Sequence, residues 1–483
     1  RGVKLNVMAL VDSAGFDAEA LAKGVELSDY GLKPGDLTEL KNLFEHATTF
    51  GSLIQVPEGL ASSLPALKQL SEATSQDLFV SEALKRLGPL VQQAELLAAQ
   101  YDAVVANPPY IGSKFHMPIT KEFLRKCYAG YETDLFAAFI DRNMTMGKPH
   151  GRLGFMSPQV WMFLSSYEDL RNGIIDQATI TTLVHPEYNA FWDSAHVALC
   201  SFTILNTRVA DYTGTFIRLA GFYGAELQAP KTLEAIQNTH CGWLHRTKPD
   251  DFKKIPSSPI LYWISNEMRL ALTRPDNVEE TGGFKRGIAT GDNEKFVRLW
   301  HEVEETNIAT SSSAQIGRRW FRYNKGGNFR KWYGNLVHVV DWGNDGQSLL
   351  NFTDGSGKLR SRPQNIEYNL WPCVSYGSVT SATPSFRYYE FGINDQAGNF
   401  LPFQEVQGAV GAIASLNSNA SIYLLSAVSS TVNILVGDLD RLPLTSESNG
   451  CALAEELIKL SRSDWNAYER SWDFQSLPLL TAS

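Results

Sequence analysis

Apolar positions recur at more than one rhythm along the chain, and the changes of rhythm divide it. Leu37 to His46 and Leu64 to Gln100 carry leucine and alanine at three- and four-residue spacing, punctuated by serine and glycine, which predicts helices. Before residue 100 one stretch breaks this pattern: Asn6 to Val11, a short apolar run ending at Asp12, reads as a strand. From Tyr101 the rhythm becomes strand, loop, helix. Tyr101 to Ala106 is a predicted strand stopped by Pro108 and Pro109, and Asp134 to Met146 a helix. Gly151 to Met156 is a strand broken by Pro158, Tyr167 to Ile175 a helix, and Thr179 to Val184 with His196 to Leu205 a strand pair joined closely enough to be antiparallel. Strands alternating with helices predict an α/β sheet. Beyond about residue 216 the alternation ends. Residues 240–445 are rich in Gly, Ser, Asn and aromatics, with short strand-like runs such as Asn335 to Val340, and Ala452 to Phe474 begins as a helix.

Composition narrows the class without deciding it. A chain of 483 residues with 43% apolar and 20% charged positions is ordinary for a globular protein of a few domains. No stretch approaches the ~18 uninterrupted apolar residues of a membrane span. The sequence opens on Arg1 with no signal pattern after it, which reads as the middle of a longer polypeptide. Five scattered cysteines argue against a disulfide framework and for a reducing cytoplasm. Cys241 and His245, the nearest approach to a metal pair, are read as coincidence, so no metal is expected. Net charge is −9, so any DNA binding must rest on local positive charge.

Asn107-Pro108-Pro109-Tyr110, at the end of a predicted strand, is the strongest chemical signal. Ligands of open α/β sheets sit beyond the carboxyl ends of strands. The arrangement suits methylation of an exocyclic amine, whose lone pair is delocalised into its ring. The Asn107 side-chain oxygen and the Pro108 carbonyl can accept the two amine hydrogens and so localise that lone pair toward a methyl sulfonium. Two prolines fix where those acceptors point, and Tyr110 can stack on a flat ring.

The context is more specific. YDAVVANPPYIGSK, followed by Asp134 to Phe139 and by Gly151 to Pro158, resembles in content and order the catalytic region of amino-group DNA methyltransferases. GIATGDNEKFVRLW, NILVGDLDRLPL and DWNAYERSWDF extend the resemblance to the PglX family, the adenine methyltransferases of BREX phage-defence systems, over essentially the whole chain. The resemblance implies S-adenosylmethionine as cofactor, base flipping, double-stranded DNA as substrate and other BREX proteins as partners. It implies a partial Rossmann-like methyltransferase sheet with a helical insertion, then a mixed α+β target-recognition domain. Residues 1–100 would be a largely helical segment, 101–215 the catalytic half, 240–445 the DNA-reading domain and 446–483 a helical tail. An aromatic before the strand His196 to Leu205 is expected on the other face of the extruded base, Phe191 first and Trp192 second. One departure stands out: the family's glycine-rich cofactor loop is nowhere in the sequence. That order implies a missing upstream segment, with Asp12 left near the cofactor adenine and this stretch inactive alone. Protein-glutamine and RNA methyltransferases share the tetrapeptide, and a chain that only binds DNA or partner proteins is the remaining alternative.

Arg318 to Tyr333, RRWFRYNKGGNFRKWY, has six basic residues, six aromatics and no acid. Arg318, Arg319, Arg322, Lys325, Arg330 and Lys331 are candidates for phosphates, Trp320 and Trp332 for stacking on bases, with Lys285 and Arg286 extending the surface. Gly326 and Gly327 would let the backbone approach a duplex. The other reading is a strand pair whose aromatics are core. Gly355-Ser356-Gly357-Lys358 ends like a phosphate loop, but Phe352 and Leu359 occupy positions that need Gly and Ser or Thr, so a turn is expected.

Overall fold

The computed structural model describes residues 6–188, 190, 198–274, 276–311, 316–377, 384–428, 434, 436–444 and 448–481. It divides into two compact units, Arg1–Lys253 with Ser257–Trp263, and Lys254–Pro256 with Ile264–Ser483.

Leucine spacing accounts for the first layer of the first unit. Helices α1 (Ala18–Gly24), α2 (Pro34–Leu43), α3 (Ala47–Phe50), α4 (Glu58–Ser71) and α5 (Leu78–Ala98) pack on one another. Leu60, Leu64, Leu67 and Leu70 of α4 and Leu84, Leu87, Val91 and Ala94 of α5 are buried with Leu21, Leu37, Leu40 and Phe44 in one core. Each leucine buried contributes about 1.5–3 kcal/mol, so this shared stripe, more than helix propensity, holds the layer. The helical run expected from Leu64 to Gln100 is interrupted: Asp77 restarts it as the α5 cap, accepting from the Phe79 and Val80 N–H groups at 2.8 and 3.1 Å. Asn6 to Asp12 is not a strand. Its backbone at Val11 is held by a side chain instead, the Gln93 amide accepting from Val11 N and donating to Val11 O.

The α/β sheet follows. Its strands are β1 (Tyr101–Ala106), β2 (Gly147–Pro158), β3 (Thr179–His185), β4 (Leu199–Leu205), β5 (Gly214–Arg218) and β6 (Leu244–Thr247). Between them lie α6 (Pro118–Cys127), α7 (Leu135–Met146), α8 (Glu168–Gln177) and α9 (Ala225–Gln237). The order is β1-β2-β4-β3-β5-β6; β1·β2 and β3·β5 are parallel, and the other pairs antiparallel, including the expected β3·β4. The sheet therefore continues past residue 215, where the sequence rhythm fades because β5 is short and begins on glycine. β1 is an edge strand that pairs, among the described residues, with β2 alone, and Val105 on it is 86% exposed.

The second unit holds short elements: α10 (Asn266–Leu272), α11 (Asn293–Phe296), β7 (Val297–Leu299), β8 (Ile308–Ala309), β9 (Trp320–Asn324), β10 (His338–Asp341) and α12 (Gln347–Leu350). There follow β11 (Cys373–Tyr376), β12 (Phe386–Tyr389), β13 (Ile393–Asn394), β14 (Phe400–Pro402) and helices α13 (Val406–Leu416), α14 (Asn419–Val428), α15 (Val436–Asp440), α16 (Ser448–Asn466) and α17 (Pro478–Thr481). One sheet runs β13-β9-β10-β7 with β8 beside β9, and a second runs β12-β11-β14. Phe296, Phe321, Tyr323, Val340, Phe391 and Ile393 form the core of the first. The Gly355–Lys358 segment is the expected turn, Asp354 Oδ1 accepting from the N–H groups of Ser356 and Lys358.

Candidate active site

Strand β1 ends where its sequence requires. Its parallel register with β2 closes at Ala106 opposite Phe155, and the chain passes into Asn107-Pro108-Pro109-Tyr110, whose prolines cannot donate to a ladder. Asn107 and Pro109 are exposed, Pro108 is buried and Tyr110 half-buried. The Tyr110 hydroxyl donates to Asn107 Oδ1 at 2.5 Å, with the Met156 carbonyl of β2 a second acceptor at 3.3 Å. Burial, and secondarily the Cys200 thiol, raises the Tyr110 pKa, so the phenol stays a proton donor. Cys200 faces Ser157 across the β2·β4 pair, and burial pushes its thiol up to about 11. At neutral pH it is a thiol rather than a thiolate and makes a poor nucleophile.

Two acceptors are thus adjacent at the strand end. Asn107 Oδ1 keeps a lone pair beyond the one facing Tyr110. The Pro108 carbonyl accepts no hydrogen bond among the described residues.

The following loop is stitched to α7. The Ile111 carbonyl accepts from Leu135 N at 3.1 Å, and Ser113 N donates to the Thr133 carbonyl at 3.0 Å. Asp134 caps α7 through Phe136 N, and burial raises its pKa. The Asp134 to Phe139 segment thus braces the loop that follows the tetrapeptide. Sequence reasoning passed over the loop's own cations, Lys114, Lys121 and Arg125, although KFHMPITKEFLRK is visibly basic.

The other predicted residues divide. Phe191 and Trp192 lie outside the described residues. Asp12 accepts from Thr48 N at 2.8 Å and from Thr48 Oγ1 at 2.8 and 3.0 Å, which lowers its pKa. It thereby holds the first turn of α3 and makes no hydrogen bond to the tetrapeptide among the described residues.

The basic-aromatic stretch faces two ways. In β9, Phe321 and Tyr323 are core, while Trp320 and Arg322 lie on the other face. Arg319 pairs with Asp341 at 2.7 Å. Arg322 lies over the Trp472 ring, 4.6 Å from its centre. Arg330 pairs with Asp464, and Lys331 donates to the Asn417 carbonyl at 3.1 Å. These side chains are therefore engaged within the unit. Gly326 and Gly327 have φ of +75° and +112°, and a Cβ on Gly326 would meet the Ala397 carbonyl at 2.8 Å. Internal packing alone therefore demands glycine at Gly326. Trp332, half-buried, bridges to Arg387. Lys285 Nζ donates to the Gly282 carbonyl at 2.5 Å. Arg286 is exposed, Arg318 and Lys325 are half-exposed, and among the described residues no ion pair engages any of these three.

Fold and site together describe an α/β sheet whose first strand, β1, runs into the Asn107-Pro108-Pro109-Tyr110 tetrapeptide, where Asn107 Oδ1 and the Pro108 carbonyl are acceptors on consecutive residues. The class they resemble is the restriction-modification methylase: a family model described as Eco57I restriction-modification methylase matches residues 34–191. More particularly, the chain is similar over nearly its whole length to two adenine-specific methyltransferases. It is 31% identical to PglX of Lacticaseibacillus casei (strain Zhang), covering 96% of this chain and 40% of that protein. It is 32% identical to BrxX of Escherichia coli O9:H4 (strain HS), covering 99% of this chain and 41% of that protein. The chain thus spans about two-fifths of the length of these relatives. Among solved structures, the restriction-modification enzyme MmeI in complex with DNA aligns with 78% of this chain and 51% of its own, at 12% identity and a TM-score of 0.46. Among the described residues, no helix is long and apolar enough to cross a membrane.

Proposed function

We propose that this chain carries the amine-receiving site and a DNA-reading unit of an adenine-N6 DNA methyltransferase that marks host DNA in a BREX-type defence system. The observation that carries the reading is the pair of acceptors, Asn107 Oδ1 and the Pro108 carbonyl, at the carboxyl end of β1. The target adenine leaves the duplex stack at a cost of a few kcal/mol. Its N6 hydrogens are held by Asn107 and Pro108, which concentrates the nitrogen lone pair on the side away from them. The Tyr110 ring stacks on one face of the adenine while Asn107 Oδ1 takes the amine hydrogen on the lone pair that Tyr110 leaves open. Phe191 or Trp192 covers the other face of the ring. S-adenosylmethionine supplies the methyl group as an electrophile when bound. The residues here fit the receiving side of the reaction rather than the donor's cradle, because Asp12 is engaged by Thr48 and the sequence holds no glycine-rich cofactor loop. Double-stranded DNA is the proposed partner, with other BREX proteins beside it.

The test is Asn107→Ala in the full-length protein, assayed on plasmid DNA. Methylation is expected to vanish while DNA binding stays near normal, since Asn107 acts on the amine and not on phosphates. A loss of less than about tenfold, only ~1.4 kcal/mol of barrier, would remove Asn107 from the reaction.

A further inference from the structure

Beside the turn Ser113–Phe115 and helix α6 lies a cleft of about 340 Å³ that the amine-holding residues do not use. Lys114, Lys121 and Arg125 line it, and none of them forms an ion pair among the described residues. One carboxylate, Glu132, shares the lining, and its Oε2 already accepts from the Gly130 N–H at 2.6 Å. The hydroxyl residues Ser113 and Thr133 add neutral donors. In a chain of net charge −9, this is a local excess of positive charge.

A second observation is independent of charge. His116, also in the lining, is only 8% exposed. Its Nε2 donates to the Ile111 carbonyl at 2.7 Å, while Nδ1 is buried without a hydrogen-bond partner. A buried polar atom left unmatched is costly, and with a proton on both ring nitrogens Nδ1–H would be a donor to a phosphate oxygen in the cleft. Ile111 directly follows Tyr110, so the same histidine ties the cleft to the tetrapeptide.

We infer that this cleft grips a phosphodiester of the DNA backbone next to the adenine received by Asn107. The identity of the ligand as DNA rests on the proposed methylation; the anion site itself rests on the cleft. Turning a nucleotide out of a duplex rotates it about its backbone, and a fixed phosphate beside the site gives that rotation an anchor. Arg125 offers a planar fork suited to two phosphate oxygens, and the lysines supply compact charges.

The experiment measures binding of the 483-residue chain to a short fluorescein-labelled duplex containing one unpaired adenine, across a salt series. Lys121→Ala with Arg125→Ala removes the cleft's α6 charges. Lys126→Ala, on the same helix but outside the lining, removes a charge without touching the cleft. Losing one phosphate contact is expected to weaken binding and flatten the slope of log affinity against log salt by about 0.9 in the double variant. Lys126→Ala is expected to change the slope by far less. An unchanged slope in the double variant, or an equal change in both proteins, overturns the inference and leaves the methylation reading standing. Calorimetry with inorganic phosphate separates the sources. If wild type binds phosphate through these residues but no duplex, the site is an anion site and the DNA reading of both cleft and chain falls. If it binds neither, cleft and DNA reading fall together. Should the double variant melt early, Lys121→Gln, which keeps most of the side-chain stem, reads the same slope.

Discussion

His185, at the carboxyl end of β3, shows how far a single side chain can be moved from its ordinary chemistry. Its Nδ1 lies 3.1 Å from the Tyr262 hydroxyl, and its Nε2 bonds to the Gln159 side-chain oxygen. This pattern suits a neutral ring that accepts at Nδ1 and donates at Nε2. Burial, and secondarily Arg218, lowers its pKa to about 4. The unfolded chain takes up the proton near 6.5, whereas the folded chain resists it until about 4. The stabilisation is therefore complete above 6.5, declines as pH falls through 6.5, and is exhausted near 4. Linkage puts the loss between pH 7 and pH 5 at about 2 kcal/mol. Urea denaturation at those two pH values is expected to show that drop in wild type and to lose it in His185→Gln. An equal drop in both would mean that the ring is charged or exposed. Nothing in the sequence announces this network, because Gln159, His185 and Tyr262 come from separate elements. Asn107 to Tyr110 is legible for the opposite reason: its acceptors and the prolines that aim them are consecutive.

At the scale of elements, β9 and the turn after it explain what was readable in the basic-aromatic stretch and what was not. Alternation along Trp320 to Asn324 identifies a strand, and strands do place Phe321 and Tyr323 in a core. Which cations are neutralised depends on Asp341, Asp464 and Asn417, and nothing in the order of residues from 318 to 333 shows that the fold brings them there. The same limit explains Asn6 to Asp12, whose apolar run looked like a strand but is held by Gln93 from α5. Arg330 is the sharpest case: its side chain is 18% exposed, pairs with Asp464 and donates from Nε to the Tyr333 carbonyl at 2.8 Å. Arg330→Ala is expected to cost about 1–2 kcal/mol of stability, mainly through the lost bond to the Tyr333 carbonyl and the lost packing over the Trp465 ring, because Asp464 is exposed and its pairing adds little. Arg318→Ala and Lys325→Ala are expected to leave the denaturation midpoint nearly unchanged and to lower the DNA salt slope by up to ~0.9 each. A destabilised Lys325→Ala with an unchanged salt slope would place that lysine among the structural residues too.

For the whole molecule, each of the two units carries cores of its own, a leucine-striped helical core beside a mixed sheet in the first and aromatic-rich cores of small sheets in the second. Net charge says little about either. What the acidic total conceals is that positive groups are gathered locally, in the α6 cleft and near β9. Up to β4, the strands, the β3·β4 pairing and helices α2, α4, α5, α7 and α8 follow from hydrophobic rhythm, whereas α1, α6 and the order of the sheet do not; β5 and β6 escape it because strands of five and four residues leave too short a pattern.

The side of β1 that no described strand pairs has a practical consequence. A bare strand edge is a template for another strand, and an exposed valine beside it favours sticking over solvation. Solutions of the chain are expected to self-associate as concentration rises, visible in sedimentation velocity as a growing average mass, and Val105→Lys is expected to suppress the effect without altering the circular dichroism. A single species at every concentration in wild type would show that the edge is inert. Because Asn107 follows directly from the same strand, any neighbour that zips onto β1 also sets the angle at which the tetrapeptide of the proposed site is presented, so crowding in the tube would register as a change in the behaviour of that site.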